Sequence, residues 1–271
     1  MKTVRPPAVA GRFYPGDPVE LSRMLDELAL DSRDVAPGKC AALLAPHAGY
    51  VYSGLTAART YARAEIPERS VILCPNHTGR GAPFAIMSRG AWETPLGTLD
   101  IDEDLAARLL ATSRLLEEDS RAHEHEHALE VQLPFLLRRR SDHRFVPICV
   151  GRLDYASLDA LGRELASVLA PVDPRPLVII SSDMTHYEPA RTAKVKDRKA
   201  IDRMEALDAR GLHDVVLGEH ISMCGIAPAT VALRALAGLG ARGGTLVDYT
   251  TSGDRTLDYE DVVAYAGLTF A

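Results

Sequence analysis

Apolar residues fall into two rhythms along this chain. Unbroken runs at 41–45, 71–74, 145–150 and 177–180 have the length of strands covered on both faces. Elsewhere apolar positions recur at helical spacing. Leu21, Met24, Leu25 and Leu28 form one stripe, Leu105, Leu109, Leu110 and Leu116 a second, and Leu158, Leu161, Leu165 and Val168 a third. Asp17 is placed to cap the first helix, with Pro18 at its first position and Glu20 in a capping-box arrangement. Asp102 to Asp104 puts acids at the start of the second, where they favour the helix dipole. A small-residue helix is expected over 54–64, between the first two strands. Strand, helix and strand in that order predict a parallel crossover unit.

Further helices are expected over 129–140, over 190–207 (charged and solvated), and from Pro228 to near Gly238 and Gly240. Closing strands are expected over 245–250 and 262–270. Residues 82–101 read as irregular or hairpin-like, and Arg5 to Pro15 as an extended segment lying on the body. No linker, repeat or low-complexity stretch interrupts this pattern. The expectation is one α/β domain over 1–271, a mostly parallel sheet flanked by helices.

Composition changes the picture only by exclusion. The chain is 46% hydrophobic and 25% charged, as a globular protein is. A formal charge of −6 and a pI near 5.9 argue against a nucleic-acid partner. No apolar run reaches the ~20 residues of a membrane span, and Met1 to Pro7 lacks the apolar region of a signal peptide. Cysteines 40, 74, 149 and 224 form no C-x-x-C pair, which favours reduced thiols and a cytoplasmic location.

The chemistry gathers where the strand runs stop. The first ends at Pro46 and is followed by His47; the second ends at Pro75 and leads through Asn76 to His77; the fourth leads through Ser181 and Ser182 to Asp183 and His186. In an open α/β sheet, ligands bind outside the carboxyl ends of the strands. Neutral imidazole is a common ligand of iron, copper and zinc. His47 and His77 are therefore candidate ligands, against the plainer reading of two loop residues satisfied by water. Asp183 and His186 suit an acid orienting a histidine for proton transfer; alternatively Ser181, Ser182 and Asp183 cap the next helix.

Cys224 stands outside any apolar run and just before a helix start, where a thiolate is favoured. It reads equally well as a buried, inert thiol, as Cys40, Cys74 and Cys149 do. His123-Glu-His-Glu-His127 matches H-E-x-x-H, the zinc-hydrolase pattern, but follows a polar stretch with no apolar helix face. A polar loop that brings His127 or Glu130 near the site is the stronger reading. No P-loop or G-x-S-x-G elbow is present.

Several segments together resemble the Memo family, whose prokaryotic members are called AmmeMemoRadiSam system protein B. They are R-x-P-A-V-A-G-x-F-Y-P from Arg5, P-H-A-G-Y-x-Y-S-G from Pro46, P-N-H from Pro75, W-x-T-P-L-G from Trp92, E-H-A-L-E-x-Q-L-P-F from Glu126, S-S-D-x-x-H from Ser181, and Cys224-Gly225. Tyr249 to Asp254 and Asp261 to Gly267 also fit, so the likeness runs nearly the whole length. The resemblance implies a fold similar to class III extradiol dioxygenases. It implies a metal held by His47, His77 and Cys224, with Asp183 and His186 as neighbouring pocket residues. Tyr50, Glu126 and His127 are expected to line the same pocket, as is Trp92, although a lone tryptophan reads most simply as packing. A sulfur ligand departs from the two-histidine, one-carboxylate dioxygenase pattern and moves preference toward copper or a redox-active iron. The expected activity is redox or dioxygenase-like chemistry on a small molecule or peptide, with AMMECR-type and radical-SAM proteins as expected partners. The rivals are a non-catalytic module that binds a peptide or partner, and a zinc-dependent hydrolase using 123–127.

Overall fold

A computed structural model describes residues 3–32 and 34–271. Its centre is four parallel strands in the spatial order Arg144–Val150, Arg69–Pro75, Leu177–Ser181, Ala42–Ala45. Leu43 and Ile72 both lie opposite Ile179, and Cys74 lies opposite Cys149. These are the unbroken apolar runs, and their interior positions are fully buried because helices cover the sheet. Each such Leu or Ile contributes about 1.5–3 kcal/mol by leaving water.

Antiparallel strands finish the two sides. Val262–Phe270 pairs with Ala42–Ala45 and carries Gly244–Thr251 beyond it. On the other side, Gly97–Ile101 adds in parallel to Arg144–Val150 and forms a hairpin with Ala91–Thr94. Val4–Arg5 pairs in parallel with Ala91–Thr94, so the N-terminal segment adds a strand. Among the described residues the sheet has 12 strands.

Helix Tyr50–Ala62 packs on the Val262–Phe270 strand, close enough that a Cβ at Gly267 would overlap Thr60. Helix Tyr155–Leu169 packs against Ile226–Gly238, where a Cβ at Gly162 would come within 2.7 Å of the Val231 carbonyl. No helix among the described residues is long and apolar enough to cross a membrane.

Local chemistry corrects several expectations. The helix expected from Gly54 begins at Tyr50, whose N–H donates instead to Phe13 O. The 129–140 helix is two helices, His127–Glu130 and Leu133–Arg139. Pro134 has no N–H to return to Glu130, so one continuous helix would lose that bond. The helix at Glu103–Thr112 stops short of Leu116 because the Ser113 hydroxyl accepts from the N–H groups of Leu115 and Leu116 and starts a turn. Leu116 is buried all the same. The charged helix Ala190–Glu205 is not simply solvated, since Ala193, Ala200, Ile201 and Met204 face inward. Helix Ala209–Gly218, capped by Asp208, has no counterpart in the sequence reading.

Candidate metal centre

The parallel register brings the ends of three strands to one edge of the sheet. Ala42–Ala45 delivers His47, Arg69–Pro75 delivers His77, and Leu177–Ser181 delivers Asp183. Cys224 arrives from elsewhere, on the turn before helix Ile226–Gly238. That turn is seated by Gly225, whose N–H donates to Ser182 Oγ at 3.0 Å. A Cβ at Gly225 would overlap the Ser182 side chain and approach Ser181 O at 2.8 Å, so the close approach needs glycine.

Cys224 Sγ lies 3.1 Å from His47 Nε2. Single donor atoms of His47, His77 and Cys224 all fall within 4.8 Å of one another. The His47 and His77 rings meet edge to face at 5.1 Å. His127 stacks on His77 at 4.7 Å and meets His47 edge-on at 5.4 Å. Two imidazoles and a sulfur thus converge, and His127 packs against both rings, grouped with His77 and Glu126.

The two candidate histidines are held from behind. Glu126, fully buried, accepts from His77 N–H at 2.6 Å and bonds His77 Nδ1 at 2.9 Å. It also accepts from Ala128 N–H, starting the His127–Glu130 helix. His47 Nδ1 bonds Ser181 Oγ at 3.0 Å, and its backbone N–H donates to Asp183 Oδ1 at 2.7 Å. The Asp183 N–H in turn donates to Cys224 Sγ at 3.3 Å.

Electrostatics follow from this enclosure. Burial, reinforced by the nearby His77, holds His47 down to about 3. Burial and His47 hold His127 down to about 4. Burial works against the Glu126 carboxylate, but His77 more than offsets it and keeps Glu126 at about 2. Burial likewise opposes charge on His77, and Glu126 reverses that and raises it. Burial and the neighbouring Asp183 carboxylate push the Cys224 thiol far up. The expected thiolate stabilisation by the helix start is therefore overridden in the metal-free chain. A bound cation would supply the missing positive charge.

The remaining expected residues divide. His186 lines the same cleft, but its Nδ1 bonds the carbonyls of Met184 at 2.7 Å and Ser222 at 3.0 Å. The oriented pair with Asp183 is thus replaced by backbone anchoring, while Asp183 fixes the His47 backbone. The capping alternative also fails: the Ser181–Asp183 stretch leads to strand His186–Glu188, and helix Ala190–Glu205 has no side-chain cap. Tyr50 and Trp92 lie in the core instead of the cleft. Tyr50 donates its hydroxyl to Val131 O, and Trp92 is sandwiched among Arg5, His123 and Phe145. Both rings are large and apolar enough to be more stable packed than wet.

The zinc-hydrolase reading is corrected too. His123 is buried against Trp92 and ends a short 3₁₀ turn, while His127 begins a different helix. The two imidazoles do not share one helix face, as H-E-x-x-H requires. Only His127 reaches the cleft.

The cleft encloses about 680 Å³ and is rimmed by Arg12, Phe13, Tyr52, Tyr187 and Tyr265. Ser181 and Gln132, absent from the expected site, stand directly behind His47. Gln132 carries a visible signal, as a lone amide in the otherwise apolar stretch Val131 to Leu137. Two imidazoles and one thiolate make a donor set that suits iron, copper or zinc. The cluster therefore fits a transition metal.

A family model described as Memo-like protein matches residues 5–269. A MEMO1 family protein of Aquifex aeolicus is 46% identical over 269 residues, covering 98% of this chain and 99% of its own. A second, from Methanopyrus kandleri, is 43% identical over 278 residues, covering 98% of each. Among solved structures, an uncharacterized protein of Escherichia coli K12, JW3007, shares the fold with a TM-score of 0.51 at 12% identity, covering 85% of this chain and 99% of that one.

Proposed function

The chain belongs to the Memo-like family, and on that premise we propose that it is a metalloprotein holding iron or copper through His47, His77 and Cys224. The observation that carries this reading is the approach of donor atoms from these three residues to within 4.8 Å of one another, with His47 and His77 lining an open cleft and Cys224 behind them. A bound iron or copper would supply one-electron redox or oxygen chemistry to a small molecule or peptide in the cleft. The chain acts as one cytoplasmic domain in this reading.

The protein's own groups have separate parts. Glu126 keeps the His77 ring in place, and Ser181 does the same for His47. His127, neutral at pH 7 and stacked on His77, is placed to accept a proton from a molecule bound in the cleft. His186, anchored through Nδ1, presents Nε2 for the same purpose on the other lining segment. The aromatic rim of Phe13, Tyr52 and Tyr265 excludes water from one side of the bound molecule.

Anaerobic titration with Fe(II) and Cu(I) tests the assignment. Binding near one equivalent is expected for the wild type and for His123→Ala, with loss of tight binding in His47→Ala and Cys224→Ser. Unchanged binding in both of those variants would overturn the reading. Peptide binding in the cleft without any metal would favour the non-catalytic module instead.

A further inference from the structure

Behind His47 lies a chain of hydrogen bonds whose donors and acceptors can be assigned without reference to any ion. Gln132 Nε2 faces two backbone carbonyls, Pro46 O at 3.0 Å and Ala45 O at 3.5 Å. Carbonyls only accept, so the amide nitrogen of Gln132 must be on that side. The Gln132 Oε1 accepts from the Tyr61 hydroxyl at 3.0 Å, which agrees. Gln132 Nε2 also donates to Ser181 Oγ at 2.9 Å.

Ser181 Oγ has one proton and two lone pairs. It lies 2.5 Å from Ala128 O, another group that can only accept, so its proton goes there. One lone pair takes the Gln132 amide. The other faces His47 Nδ1 at 3.0 Å, so that nitrogen must carry a proton and donate. All of these groups are buried, and no competing solvent donor can relax the assignment.

We propose that Ser181 and Gln132 are positioning residues that fix His47 as the Nδ1–H tautomer and leave its Nε2 lone pair free toward Cys224. The inference rests on the metal-binding reading only for its purpose, since the bonding pattern exists in the chain itself. Glu126 gives His77 the same tautomer by a different route, a carboxylate acceptor on Nδ1. The two ligand rings are thus ordered before any ion arrives. Their Nε2 atoms need neither a tautomer change nor a ring flip to bind one.

Ring nitrogen NMR on the full-length, ¹⁵N-labelled chain, stripped of metal and held at pH 8, tests this directly. Wild-type His47 is expected to show one tautomer, protonated at Nδ1. Ser181→Ala is expected to shift His47 to a mixed or Nε2-protonated population. Fe(II) affinity in that variant should fall about 10–100-fold, as removal of an outer-sphere partner does elsewhere. Ser181→Thr, which keeps the hydroxyl on a β-branched residue suited to a strand, should restore the wild-type tautomer. A His47 protonated at Nε2 in the wild type would overturn the proposal, and that measurement needs no variant to fold. So would a Ser181→Ala chain with both tautomer and Fe(II) affinity unchanged. If wild type fails to bind Fe(II) or Cu(I), the metal reading falls, while the NMR result still decides the proton ordering.

Discussion

Cys224 Sγ sits 3.1 Å from His47 Nε2, although 177 positions separate the two residues in the chain. Neither residue owes its place to its neighbours in sequence. His47 is carried by a parallel strand end, and Cys224 is drawn in by the glycine contact with Ser182. The pairing joins a borderline nitrogen donor to a soft sulfur one, and in the proposed metal centre the choice of metal would turn on that sulfur.

Replacing the sulfur with oxygen hardens the site. Cys224→Ser is expected to weaken Cu(I) binding more than Fe(II) binding, and by more than the ~10–100-fold that loss of an outer-sphere partner costs. Anaerobic competition against chelators of known affinity measures both constants. Equal losses for the two metals would remove sulfur softness as the basis of selectivity.

The seat of Cys224 can be disturbed without touching any of the proposed ligands. Gly225→Ala places a methyl group against Ser182 and Ser181 O. Overpacking of this kind costs about 1–3 kcal/mol. Thermal unfolding of the metal-free variant should show that loss, and metal titration should show weaker binding, because the sulfur is pushed off the cluster. Wild-type affinity in this variant would mean that the turn accommodates the methyl elsewhere.

Arg5 and Glu130 test the anchoring of the N-terminal segment. Their buried ion pair is 2.7 Å long, and the Arg5 guanidinium lies 4.0 Å over the Trp92 ring. Glu130 also accepts from Ala8 N–H, Val9 N–H and the Tyr14 hydroxyl. Arg5→Leu strands a buried carboxylate and should cost about 3–5 kcal/mol in chemical denaturation. The double variant Arg5→Leu/Glu130→Gln should recover part of that loss; no recovery would show that the pair's charges are not coupled.

Acid should destabilise the chain through histidines outside the candidate metal centre. Burial first, then the charge of Arg5, holds His123 down to about 4, and burial holds His143 down to about 4. Their unfolded values are near ~6.5. Between ~6.5 and about 4 the unfolded chain binds a proton at each that the native chain refuses, so stability falls as pH falls. The slope is at most ~1.4 kcal/mol per pH unit for each histidine. Urea midpoints of the metal-free chain between pH 7.5 and 4.5 measure it, and His143→Gln should flatten the profile. A midpoint that rises on acidification would contradict the sign.

How far the chain could be read without coordinates depended on the range of the interactions involved. The unbroken apolar runs and the three-and-four spacing are local signals, and they located the central strands and most helices. His47, His77 and Asp183 were visible as residues placed just beyond strand ends, because a parallel sheet puts such ends on one edge. Position relative to the cleft was another matter. Trp92 and Tyr50 belong to motifs beside the site yet pack inward, and His123 shares a motif with His127 yet lies under Trp92. The direction of a ring is chosen by what fills the space around it, and that space is built from distant segments. Ser181 and Gln132 went unrecognised for the same reason. Their work is done through hydrogen bonds to Ala128, Pro46 and His47, partners that only the closed sheet brings within 3 Å.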